Sequence, residues 1–219
     1  MTLDLKGTGM TSQRARDRLI QRLVKDGIQH PEVLAVMRDT PRHIFIAEAL
    51  ASRAYDDVSL PIGFGQTISQ PYIVAKMTEL LLARGRLNKV LEIGTGCGYQ
   101  TAVLAQLVDN VYSVERIREL QKTAKDTIWA LKLKNIRFYH GDGSLGWPEQ
   151  APFDGILAAA APESVPNALL EQLAPSGVMV IPIGVSGKQV LHRITRTGNG
   201  YDVESFGGVE FVPFVTDKR

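Results

Sequence analysis

Glu92-Ile93-Gly94-Thr95-Gly96-Cys97-Gly98 is the stretch whose residue types and spacing point most directly to chemistry. Glycines at alternate positions remove side chains where a ligand must lie against bare backbone, and they tolerate positive φ in a tight turn. A glycine-rich loop alone is a weak signal, and its setting strengthens it. The apolar run KVLEIG precedes the loop, a helical stretch follows, and Glu115 stands 23 residues beyond Glu92 at the end of the next apolar run. In open α/β sheets such a turn builds a nucleoside crevice, and an acidic residue at that distance accepts hydrogen bonds from the ribose hydroxyls. The competing reading of Glu115 is an exposed carboxylate near a strand end. Asp142 in HGDGSLGWP suits an adenine amino group, with Gly143 letting the ring lie close; a plain Gly-Asp-Gly turn accounts for it equally well.

Charge separates the nucleotides that use such a crevice. Between Lys89 and Arg116 there is no Lys or Arg, while Glu92, Asp109 and Glu115 are acidic. A pyrophosphate would bring about two negative charges towards Glu92 with no P-loop lysine to assist. S-adenosylmethionine carries a sulfonium and an ammonium against one carboxylate, and its net positive charge suits an acidic crevice. The four histidines, His30, His43, His140 and His192, are scattered and form no H-E-x-x-H pattern, so they read as structural or surface groups, and no metal site is expected.

These residues need a scaffold, and 219 residues with a 44% apolar fraction can bury a sizeable core. With 25 Lys plus Arg against 23 Asp plus Glu, the balance argues against a dedicated binder of nucleic acid backbones. Cys97 is the only cysteine, which excludes an intrachain disulfide and a cysteine-based zinc site and fits a reducing, cytoplasmic setting. No run of about eighteen apolar residues marks a membrane anchor. The first ten residues read as a loose tail.

The helical period appears over residues 12–26, where Ala15, Leu19, Ile20, Leu23 and Val24 recur at three and four. Arg14, Arg16, Arg18 and Arg22 between them read as a solvated helix side. Further helices are expected over 31–38 and 44–54, then a polar stretch, then a helix opened by Pro71. From Asn88 short apolar runs alternate with helical stretches, the signature of a parallel sheet with crossovers. The last two runs, QVLHRITRTG and YDVESFGGVEFVPF, are too close for a helical crossover and read as an antiparallel ribbon on the sheet edge. The expected fold is a doubly wound α/β sheet, mainly parallel, with antiparallel edge strands and an N-terminal helical extension. It forms one domain over 1–219, with 1–84 as the extension and active-site loop and 85–219 as the core.

AYDDVSLPIGFGQTISQP (54–71), VLEIGTGCGYQTAVLA (90–105), VYSVERI (111–117), GDGSLGWP (141–148), PFDGILAAAAPESVP (152–166) and the later VEFVPF closely resemble the protein-L-isoaspartate O-methyltransferases, in the family's order. The GQTISQP block is the most specific, because other methyltransferases share the glycine loop but lack it. The resemblance implies the adenosylmethionine-dependent methyltransferase fold and methyl transfer to the free carboxylate of L-isoaspartyl residues in damaged proteins. It implies that the ester later closes to a succinimide, part of which reopens to normal aspartate. It places the active-site serine on Ser69, with Gln66, Thr67 and Ile68 beside the cofactor. Glu92, Gly94 and Gly96 form the strand end and loop, Glu115 takes the ribose, and Asp142 and Gly143 take the adenine. A segment near the substrate falls on residues 212–216, with Val212 and Thr216 as contacts. Cys97 stands where the family often has serine, and Val58-Ser59 occupies a variable spot.

An isoaspartyl carboxylate has a pKa of about 3.3 to 3.7, so at neutral pH the nucleophile needs no general base. That explains a sequence with no convincing catalytic triad. Ser69 is expected to orient the carboxylate without covalent catalysis; without the resemblance it reads as a helix-entry residue bonding local backbone. Ile68, Phe64 and VEFVPF could take the substrate backbone by strand-like pairing, or VEFVPF could be a packed edge strand. Two alternatives stay open: a methyltransferase for a small molecule or RNA, and a nucleoside-binding module without catalysis. Isoaspartyl proteins are the expected partners, no nucleic acid or membrane is expected, and a monomer is favoured.

Overall fold

The computed structural model describes residues 4–216. Seven strands form one sheet: β3 (Lys89–Ile93), β4 (Asn110–Glu115), β5 (Ile136–His140), β6 (Phe153–Ala158), β7 (Leu173–Ile183), β8 (Gln189–Thr197) and β9 (Gly200–Val209). Their order is β5-β4-β3-β6-β7-β8-β9, and every pairing from β5 to β7 is parallel. The chain therefore starts in the middle at β3, builds outward to β5, and returns to the far side of β3 with β6. The switch point lies between β3 and β6, where ligands collect beyond the strand carboxyl ends. β8 and β9 are antiparallel to their neighbours, as the short spacing between the two runs requires.

The two-residue period of the strands divides the core. Val90, Val111, Val178 and Val180 face one side, together with the apolar stripes of α1 (Gln13–Lys25), α2 (Pro31–Asp39) and α3 (Pro71–Leu81) and most of α4 (Tyr99–Ala105). Leu91, Ile93, Tyr112, Val114, Met179 and Ile181 face the other side, packed with Leu169 of the short helix α6 (Asn167–Glu171). α5 (Arg118–Ala130) buries Leu120, Ala124 and Ile128. The sheet is thus covered on both faces, but unevenly, with the longer helices gathered on the first. Among the described residues, no helix is long and apolar enough to cross a membrane.

Four expectations change. The helix over 44–54 is instead a pair of 3-10 turns, Arg42–Phe45 and Glu48–Arg53. Arg42, fully buried, donates from Nε to the Ala54 carbonyl at 2.9 Å and lies over the Tyr99 ring at 5.0 Å, so tertiary contacts set this backbone. The tail is not loose where it is described: Arg16 Nη2 donates to the Leu5 carbonyl at 2.6 Å, and His43 Nε2 donates to the Asp4 carbonyl at 2.7 Å. Its first three residues lie outside the described residues. Arg16 is accordingly buried rather than solvated, and Arg22 donates to the Tyr55 carbonyl. Finally, the polar stretch before α3 contains a small antiparallel hairpin, β1 (Leu60–Gly63) and β2 (Gln66–Ile68).

Candidate active site

Gly94, Gly96 and Gly98 follow β3 with φ of 92°, 55° and 91°, a run of left-handed backbone that side chains resist. Gly98 opens α4, and a Cβ there would sit 3.0 Å from both Ala124 and Ile128 of α5. The loop is tied down by Glu115 at the end of β4. Its Oε2 accepts from the Gly96 amide at 2.8 Å and its Oε1 from the Ile117 amide at 2.9 Å. The carboxylate is thereby fixed at the wall of a cleft beyond the carboxyl ends of β3 and β4.

The cleft brings together most of the expected residues. Gln66, Thr67, Ile68 and Ser69 form one wall, Gly94, Gly96 and Glu115 another, and Gly143 and Val212 close it with Phe214. A second groove opens beside it, lined by Ser59, Gln70, Gln189, Glu210 and Phe211, and shares Thr67, Ser69, Ala159 and Val212 with the cleft. Ser69 thus stands on the partition between the two. Pro71 takes the first position of α3 and leaves Gln70 extended, so Ser69 stays outside the helix. Its hydroxyl makes no hydrogen bond among the described residues, so the helix-capping reading gains nothing. The α3 cap comes from Asp57, whose Oδ1 accepts from the Tyr72 amide at 2.7 Å.

Glu92 does not line the cleft. It is fully buried, and its Oε2 accepts from the hydroxyls of Thr101 and Ser113, both at 2.6 Å. Burial pushes its carboxyl up to about 8, against the opposing effect of those two hydrogen bonds. Glu92 is therefore mostly uncharged at neutral pH. Asp109 pairs with Arg86 at the surface, and Arg116 joins the cleft lining. The three acidic charges expected in the crevice reduce to Glu115, a correction that burial explains and sequence could not show. Asp142 also stands back from the cleft wall; its Oδ1 accepts from the amide and hydroxyl of Ser144 at 2.8 and 2.7 Å. Its Oδ2 has no hydrogen bond among the described residues. Thr216 is exposed and lines neither cavity.

VEFVPF is not an edge strand. β9 stops at Val209, and the chain crosses the strand ends, where Ala161 donates to the Val212 carbonyl and accepts from the Phe214 amide, both at 3.0 Å. Phe64 sits at the hairpin tip with φ of 55° and is 59% exposed, so it lines neither cavity. Sequence reasoning missed Asp57, Arg116 and Gln189. Their partners are backbone groups or cavities assembled from distant segments, and no local pattern marks them.

Residues 13–219 match the family model described as Protein-L-isoaspartate(D-aspartate) O-methyltransferase. The chain is 56% identical over 214 residues to the protein-L-isoaspartate O-methyltransferase of Alcanivorax borkumensis, covering 98% of this chain and 97% of that one. It is 57% identical over 218 residues to that of Cellvibrio japonicus, covering 97% and 96%. Among solved structures, one protein-L-isoaspartate O-methyltransferase superposes with a TM-score of 0.82 at 27% identity over 90% of this chain, which spans 65% of that longer chain. Another, from Plasmodium falciparum and in complex with S-adenosyl-L-homocysteine, superposes with a TM-score of 0.77 at 26% identity, covering 91% and 98%. With residues 13–219 matched by that model and relatives more than half identical along nearly all of both chains, the chain belongs to the protein-L-isoaspartate O-methyltransferase family.

Proposed function

We propose that the cleft holds S-adenosylmethionine, that the adjoining groove holds the peptide carrying the isoaspartyl residue, and that the two meet at Ser69. The lining fits the cofactor. Gly94 and Gly96 leave bare backbone, Glu115 offers its remaining lone pairs to the ribose hydroxyls, and the Gly143 backbone gives a flat face for the adenine. Asp142 keeps Oδ2 for the adenine amino group, while Gln66, Thr67 and Ile68 form the wall beside the methionine part. Glu92 acts from behind the loop, holding Thr101 and Ser113. When bound, S-adenosylmethionine supplies a methyl group on a positively charged sulfur.

The chain's own task is alignment and water exclusion. Charge disappears as carboxylate and sulfonium react, so a drier site favours the transition state over the separated ions. Ile62, Ile68, Val212 and Phe214 supply that apolar surround. The Ser69 hydroxyl donates to one carboxylate oxygen and leaves the other to attack. Val212, shared by both cavities, borders the substrate, with Thr216 further out along the same segment. One observation carries this reading: a serine hydroxyl without a hydrogen-bond partner among the described residues stands on the partition between a nucleoside cleft and an open groove. The lone Cys97 supports a reducing cytoplasm.

Labelled cofactor incubated with an isoaspartyl peptide and its aspartyl twin tests the proposal. Label enters the former only, and Ser69→Ala slows transfer by roughly 10-fold to 100-fold without changing thermal stability. Equal labelling of both peptides, or a wild-type rate in Ser69→Ala, would overturn it.

A further inference from the structure

β8 and β9 run as a ladder to the pair Gln189 and Val209, where β9 ends. The next rung is made by a side chain. The Gln189 amide Nε2 donates to the Phe211 carbonyl at 3.0 Å, and its Oε1 accepts from the Phe211 amide at 2.6 Å. Only one orientation of the carboxamide satisfies both bonds, so the side chain imitates a strand partner at the point where the strand stops. Gln189 is 3% exposed, and both bonds are partly buried. One residue beyond Phe211 the chain becomes the wall shared by cleft and groove, and Ala161 grips it there through the Val212 carbonyl and the Phe214 amide. Pro213 between them has no amide to donate, which leaves few backbone bonds to hold this crossing segment.

We infer that Gln189 is a positioning residue for the transfer reaction: its carboxamide fixes where residues 211–215 leave the sheet, and so sets the wall against which both cofactor and peptide bind. This rests on the reading of the groove as the peptide site. The clamp contacts neither reacting group, so its loss weakens binding more than it slows the chemical step. Leucine at this position keeps much of the volume and makes neither bond. Glutamate keeps the acceptor for the Phe211 amide, but when ionised it turns an oxygen against the Phe211 carbonyl; protonation restores a donor there.

The test combines amide exchange on the ligand-free protein with steady-state kinetics. In Gln189→Leu the Phe211 amide exchanges at least roughly tenfold faster. KM for an isoaspartyl peptide and the dissociation constant of S-adenosylhomocysteine both rise roughly tenfold, while kcat falls less than about threefold. Gln189→Glu behaves like the leucine variant at pH 8 and regains Phe211 protection as pH is lowered towards 5. Unchanged exchange and unchanged KM in Gln189→Leu would overturn the inference, as would a loss confined to kcat. If Gln189→Leu fails to fold, Gln189→Glu decides through its pH dependence, and protection that does not respond to pH counts against the clamp. Failure of the functional reading is separate: the wild type would then methylate no isoaspartyl peptide, while the exchange result would stand.

Discussion

The Glu92 carboxyl sits among Thr101, Ser113 and, through Ser113, Thr95, whose hydroxyl lies 2.5 Å from that of Ser113. This network links β3, β4, α4 and the glycine loop, so the residue that shapes the loop does so from behind it. The unfolded chain releases the Glu92 proton near the ordinary value of 4.5, and the folded chain only near 8. Between those values the unfolded state binds fewer protons, so this group lowers stability progressively as pH rises from 4.5 through 8 and adds no further change above. Glu92→Gln keeps the shape and cannot ionise. Its melting temperature relative to wild type is expected to climb by roughly 5 °C or more between pH 5 and pH 8.5, measured by calorimetry. A difference that stays flat with pH would show that the carboxylate is already ionised in the fold.

α3 illustrates how an element is placed by residues far from it in sequence. Its Pro71 was legible as a helix start, but its cap was not, because Asp57 reaches the Tyr72 amide from fifteen residues upstream. Asp57→Ala removes that acceptor, costs about 1 kcal/mol and lowers the melting temperature by roughly 2–4 °C. It also raises KM for an isoaspartyl peptide, since α3 starts two residues after Ser69, whereas Asp57→Asn retains most of both properties. Equal melting temperatures for Asp57→Ala and wild type would mean that water replaces the carboxylate at no cost. The hairpin leaves no mark in the sequence because its strands have four and three residues, too few to show a period, and its Gly63-Phe64-Gly65 tip uses positive φ throughout. Residues 42–53 had the apolar content of a helix and took another form because Arg42 and Phe45 had to be buried against Tyr99.

The chain is an S-adenosylmethionine-dependent methyltransferase that acts on isoaspartyl residues, and its N-terminal third is stitched to that activity through polar contacts. Arg16, 4% exposed, donates from Nη2 to the carbonyls of Leu5 and Lys6, and His43 bridges the Asp4 carbonyl and the Tyr55 hydroxyl just before the active-site loop. Deleting residues 1–7 leaves a buried guanidinium and a buried imidazole without these acceptors. The expected result is a drop in melting temperature of roughly 5 °C or more, read by calorimetry. No change would mean that both groups find water in place of the segment.

The amino-acid sequence by itself determined the order of the elements, the parallel sheet, the glycine loop with Glu115, and the GQTISQP block that carries Ser69. Periodicity and turn chemistry act between neighbours a few residues apart, so they can be read along the chain. Only the tertiary structure decided that Glu92 is buried and mostly uncharged, that Asp142 caps a turn, and that VEFVPF leaves the sheet to roof the cleft. Burial, desolvation and the pairing of distant backbone groups depend on which segments meet, and that is settled by the packing of the fold as a unit.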